Sequence, residues 1–170
     1  HKNKRLTFCP WGTELYEIPD DSDIVFGHFE IETFKLNEFK TCIEGIKSKS
    51  LLQKCDLIIT GHFHLREERQ YKNGTILYLG NPFQMDFGDI NSTKGYYILD
   101  TKSKVYEFTK NDISPKHIKL KLSDLAREGT LTQSVKDSIT DNILRFIIDR
   151  TITPDEVDIV LKKFSSLKPL

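Results

Sequence analysis

Asp56-Leu57-Ile58-Ile59-Thr60-Gly61-His62-Phe63-His64 is a β-prone apolar run that breaks on a glycine and continues into two histidines. Asp23-Ile24-Val25-Phe26-Gly27-His28-Phe29 has the same grammar earlier in the chain. A short continuous apolar run reads as a strand buried on both faces, as in a parallel sheet. Glycine lets the chain turn sharply where such a strand ends. Each imidazole then stands at the carboxyl end of a buried strand, where open α/β sheets build their sites. His62 and His64 are two apart, which in extended backbone puts both side chains on one side. Three imidazoles converging on one sheet edge, His28, His62 and His64, suit a borderline transition metal such as zinc, manganese or iron. A single Gly-His at a strand end is more often structural. Three of them would each need a separate structural reason.

Around these segments, Leu6 to Trp11 reads as a strand leaving the sheet at Cys9-Pro10-Trp11. Leu36, Phe39, Ile43 and Ile46, at spacings of three and four, predict an amphipathic helix over 34–49. Short strands are expected at Glu67–Tyr71, Ile76–Leu79, Tyr96–Leu99, Lys104–Phe108 and His117–Leu122, with a hairpin at Asn73-Gly74 and a turn over Asp100–Ser103. Ser123–Glu128 and Thr132–Ile139 read as short helices or a connecting segment. Asn142–Asp149 is a strong strand pattern, and Thr153-Pro154-Asp155-Glu156 is a helix start with cap, proline and acidic first turn. Val157, Val160, Leu161 and Phe164 form one face of that helix. A boundary is placed near residues 122 to 140, since a lone strand and helix cannot cover their own apolar surface.

Composition sets the outer limits. The 170 residues include eleven Phe and six Tyr, which excludes a mainly disordered chain. Twenty-five basic residues against twenty-five acidic ones exclude a whole-molecule basic field, leaving open a local one. No apolar run is long enough to cross a bilayer, and no signal-peptide pattern follows His1-Lys2-Asn3-Lys4-Arg5. Cys9, Cys42 and Cys55 are odd in number and lack Cys-x-x-Cys spacing, so they read as buried thiols in a reducing compartment. The expectation is a cytoplasmic protein with no membrane partner. His117 reads as a surface or core histidine, and His1 is terminal.

The two glycine-histidine segments resemble the two C-terminal motifs of the calcineurin-like metallophosphoesterases. Phe8-Cys9-Pro10-Trp11 before them, Tyr78-Leu79-Gly80-Asn81-Pro82 after them, Gly95-Tyr96-Tyr97-Ile98-Leu99-Asp100 and the terminal strand and helix are similar to the SbcD and Mre type of double-strand-break-repair nuclease. The resemblance implies an α/β fold: the C-terminal half of a two-sheet sandwich flanked by helices over residues 1–122, then a linker and a small βα start of a DNA-capping domain over 123–170. It implies a metal-dependent DNA exo- or endonuclease subunit hydrolysing phosphodiester bonds in recombination and repair, partnered by an SMC-like coiled-coil ATPase. His28 would serve one metal, His62 the same or a shared cluster, and His64 the other. The complete enzyme would hold two divalent ions, manganese foremost, zinc or iron otherwise.

The family's N-terminal Asp-x-His, Gly-Asp-x-x-Asp and Gly-Asn-His-Asp motifs are absent from this sequence. Two close cations repel unless anionic ligands compensate, and three imidazoles add no negative charge. At most one weakly held metal, little hydrolysis by this chain alone, and self-association through an uncovered sheet edge or face are expected. Asn81 falls where the family places a segment beside the site. In the following loop, Phe83, Met85 and Phe87 read equally as core packing, and Asp86 and Asp89 as ordinary turn chemistry. Lys116, Lys119 and Lys121 alternate with Ile118 and Leu120, giving a basic strand face for DNA phosphates or a merely solvated one. Two alternatives stand beside the nuclease: a phosphoesterase acting on nucleotides or other small phosphoesters, and a non-catalytic interaction scaffold.

Overall fold

The computed structural model describes residues 4–122, 133–149, 151–167 and 169. The fold is mixed α/β. It forms two compact units, His1–Pro82 with Ser92–Asp112, and Phe83–Asn91 with Ile113–Leu170.

The first unit is built on β1 (Leu6–Cys9), β2 (Ile24–Gly27), β3 (Leu57–Thr60), β4 (Glu67–Tyr71) and β5 (Gly74–Tyr78). They lie in the order β1-β2-β3-β5-β4. The first four are parallel, and β4 returns antiparallel along β5. The continuous apolar runs of β2 and β3 are buried on both faces, as their lack of alternation predicts. On one face Val25, Ile58 and Ile76 pack with Phe34, Leu51, Phe63 and Tyr78. On the other, Ile24, Leu57 and Ile59 meet Leu99 and Tyr106 from a second, two-stranded sheet, β6 (Gly95–Asp100) and β7 (Val105–Lys110).

The predicted helix over 34–49 does not form. That segment is turns and isolated bridges, and the helix α1 covers only Ser48–Lys54. Side-chain competition explains the difference: Asn37 Oδ1 accepts from the backbone N–H of both Phe39 and Lys40, closing a local turn in place of helical bonds. Thr33 adopts φ = 72°, and its N–H reaches across to Cys42 O. Phe39 and Ile43 are consequently exposed, whereas Leu36 and Ile46 pack against the core. All three cysteines are buried free thiols, each raised in pKa by burial.

Tyr78 ends β5 in the centre of this core. Its hydroxyl donates to Phe29 O at 2.7 Å and accepts from Ile31 N–H at 3.1 Å, fixing the segment that follows His28. Burial pushes the phenol far above its ordinary range. Tyr78→Phe strands a buried N–H and a buried carbonyl, so a loss of about 1–3 kcal/mol is expected. Denaturant unfolding checks this, and an unchanged midpoint would contradict it.

In the second unit, β8 (His117–Lys121) pairs in parallel with β9 (Ile143–Ile147), joined through α2 (Gln133–Ile139). Strand β8, placed before the linker in sequence, is thus hydrogen-bonded to the tail. Helix α3 (Pro154–Ser165) starts as its sequence predicts: Glu156 N–H donates to Thr153 Oγ1 at 3.3 Å, and Thr153 N–H donates to Glu156 Oε2 at 2.9 Å. Val160 and Phe164 pack with Leu120, Ile139, Leu144 and Phe146. Leu161, assigned to the same face by spacing, is exposed. The Ser123–Glu128 segment lies outside the described residues. No helix among the described residues is long and apolar enough to cross a membrane.

Candidate functional site

The parallel register sets Gly27 beside Thr60, and Gly61 N–H donates to Gly27 O at 3.0 Å, continuing the ladder one step beyond the strands. His28 and His62 therefore leave the ends of neighbouring strands, with His62 one residue further along the register than His28. Both glycines serve space more than turning: neither has positive φ. A Cβ on Gly27 would fall inside the Phe29 ring, and one on Gly61 would stand 3.3 Å from His28 Nδ1.

His28 Nε2 and His62 Nδ1 are 3.1 Å apart, and the rings meet edge to face at 5.0 Å. The other nitrogen of His62 lies 3.0 Å from Glu30 Oε1. A carboxylate there favours the proton on Nε2 and leaves the Nδ1 lone pair turned towards His28. Trp11 completes the group, stacked on His62 at 4.6 Å and edge-on to His28 at 5.7 Å.

His64 is held differently. His62 has φ = 82°, so the extended backbone assumed for a shared side of His62 and His64 is broken between the two strands' ends. A non-glycine residue in that region is strained, and such strain gathers at functional sites. Buried Phe63, stacked on Tyr78 at 4.7 Å, anchors the turn. The His64 carbonyl accepts from Lys94 Nζ at 2.8 Å and from Asn81 N–H at 3.3 Å. Lys94 is buried, which is rare for lysine. His64 itself is exposed, and the contacts of the His28–His62 pair run to Glu30 and Trp11. Among the described residues, no three His, Cys, Asp or Glu side chains are grouped so as to hold a metal ion.

The pair nevertheless fits two ligands of one ion. Imidazole nitrogens bind zinc at about 2.0–2.1 Å, and two nitrogens 3.1 Å apart can both reach one ion at that length. The Glu30 contact is the usual outer support of a metal-bound imidazole.

Asn81 has a buried side-chain nitrogen with no hydrogen-bond partner among the described residues. Phe83 and Met85 are exposed, Phe87 packs edge-on to His117, and Asp86 and Asp89 accept from nearby backbone N–H groups in turns. His117 is buried. Lys119 and Lys121 are exposed on the face of β8 opposite its packed Leu120, with Arg145 as register partner of Lys119. Lys116 is exposed but precedes the strand and is out of phase with the other two, correcting the single basic face expected of all three. Arg145 caps the Phe87 ring at 3.8 Å.

Sequence patterning missed Glu30, Lys94 and Trp11. The first had a usable signal in lying two residues past His28; the turn-forming Pro10-Trp11-Gly12 was another. Lys94 had none, because its burial depends on tertiary packing.

No family model matches the chain. It is similar to exonuclease subunit 1 of Enterobacteria phage T4. Identity is 29% over 90 residues, covering 51% of this chain and 24% of that protein. The match thus spans about a quarter of the relative's length, and it adds a nuclease-related protein to the site geometry.

Proposed function

We propose that this chain is part of a metal-dependent nuclease subunit of the SbcD and Mre type that hydrolyses DNA phosphodiester bonds. The observation that carries the proposal is the 3.1 Å pairing of His28 and His62 at the ends of adjacent parallel strands, with Glu30 behind His62. The name of the phage relative, an exonuclease subunit, supports a nucleic-acid substrate and an assembly with further subunits, for which an SMC-like ATPase is our choice.

In this proposal His28 and His62 hold one divalent ion, manganese foremost, and His64 serves a second ion with ligands from outside this chain. A divalent ion supplies Lewis-acid polarisation of a phosphoryl oxygen and acidifies a bound water. Glu30 keeps His62 in the binding tautomer. Lys94 and Asn81 fix the His64 backbone. Lys119, Lys121 and Arg145 offer phosphate contacts on the second unit.

With two neutral ligands on one ion, binding by this chain is weak and cleavage by it slow. Cleavage of linear duplex DNA by the protein that carries this chain, with manganese and with His28→Ala, tests the function. Metal-dependent cleavage lost in the variant is expected; cleavage indifferent to both would contradict it. Glu30→Ala should weaken manganese binding about 10–100-fold. Calorimetry checks that value, and unaltered affinity would remove Glu30 from the site. The lack of a three-ligand group among the described residues favours a second reading, a non-catalytic scaffold. Measurable metal affinity separates the two.

A further inference from the structure

We propose that Trp11 is a stacking platform for an unpaired base of a DNA strand whose phosphate lies at the His28–His62 pair. This rests on the nuclease function proposed above and adds the recognition of a base beside the phosphate.

Trp11 is 60% exposed although it touches both histidines. A tryptophan kept this open is not filling a core. One side of the indole lies against His62 at an interplanar angle of 29° and its edge meets His28, which leaves most of the residue open to solvent. The mounting is rigid. Pro10 O accepts from both Thr13 N–H at 3.2 Å and Thr13 Oγ1 at 2.9 Å, closing a turn over Trp11 and Gly12. Gly12 has φ = 84° and nothing near its missing Cβ, so conformation alone calls for glycine there. A preformed aromatic surface loses little entropy when a ring settles on it.

The chemistry on each side is complementary to one nucleotide. Imidazoles with an ion between them attract the phosphate, and the indole beside them offers a flat apolar surface within a ring-stacking distance. Every base has a π-face, so stacking on tryptophan selects unpaired nucleic acid without selecting sequence. A paired base is already stacked and cannot use it. The substrate class is therefore a single strand or a frayed duplex end.

Trp11 is the sole tryptophan of the chain, so intrinsic fluorescence reports on this residue alone. The chain is titrated with manganese present, using a short oligothymidylate and an abasic oligonucleotide of equal length and charge. Oligothymidylate should quench the fluorescence, and the abasic strand should bind without quenching. By anisotropy of labelled strands, Trp11→Ala should weaken oligothymidylate binding about 5–150-fold, the equivalent of one stacked base. It should leave abasic binding unchanged, which also shows that the variant is folded. Trp11→Phe should restore part of the loss. Equal binding of both strands, with Trp11→Ala indifferent, would overturn the stacking role and leave the nuclease function standing. Failure of both strands to bind the unaltered chain would overturn both.

Discussion

His62→Ala is expected to weaken manganese or zinc binding by more than about 100-fold, beyond the effect of losing an outer-shell partner. His62 is the member of the group with most to lose: Nδ1 faces His28, Nε2 faces Glu30, and the ring lies under Trp11. Removing it would take away one of the two nitrogens proposed to hold the ion, leave Glu30 without its partner, and free the indole. The fold should survive, because the His62 side chain is partly open to solvent and the hydrophobic core is made by its neighbour Phe63. Calorimetry and thermal unfolding on the same sample separate the two effects. Loss of affinity with an unchanged melting temperature is the expected pattern, and undiminished affinity would contradict the site.

Gly80→Ala should act in the opposite sense, on the fold first. Gly80 has φ = 70°, a conformation costly for alanine. Its added Cβ would stand 2.7 Å from Arg66 N and 3.1 Å from His64 O. Both obstacles are backbone, so no side-chain rotation relieves them. The same His64 carbonyl receives Lys94 Nζ and Asn81 N–H, and the substitution pushes directly on that junction. A loss of roughly 2–4 kcal/mol is expected, from adverse φ and overpacking together. Urea unfolding measures it, and a change below about 1 kcal/mol would show that the two segments separate freely.

The parts of the fold that sequence patterning captured are those governed by local chemistry. Uninterrupted runs such as Leu57-Ile58-Ile59 can only be satisfied by burial on both faces, and that is where β3 lies. Thr153-Pro154-Asp155-Glu156 carries its own capping bonds, so α3 begins where the residues dictate. The helix predicted over 34–49 failed because spacing alone says nothing of hydrogen-bond competition. Asn37, with Thr33 in a left-handed conformation, diverts the backbone into bridges.

At the site, the doubled Gly-His pattern was legible because parallel pairing carries the carboxyl ends of β2 and β3 to the same edge. The relation of His62 to His64 was not, because it depends on one backbone angle. Glu30 and Trp11 come to the pair from segments whose approach is set by Tyr78 and by the turn at Pro10. The lysines show the limit of alternation: it holds for Lys119 and Lys121 inside β8, and lapses at Lys116 before the strand begins.

His28 and His62 are proposed to share one ion. The most direct measurement is a manganese titration by calorimetry of the unaltered chain, His28→Ala, His62→Ala and the double variant. Ligands of one ion are not independent, so the double variant should lose scarcely more affinity than the poorer single variant. Losses that simply add, or an unaltered chain with no saturable binding, would contradict a shared ion.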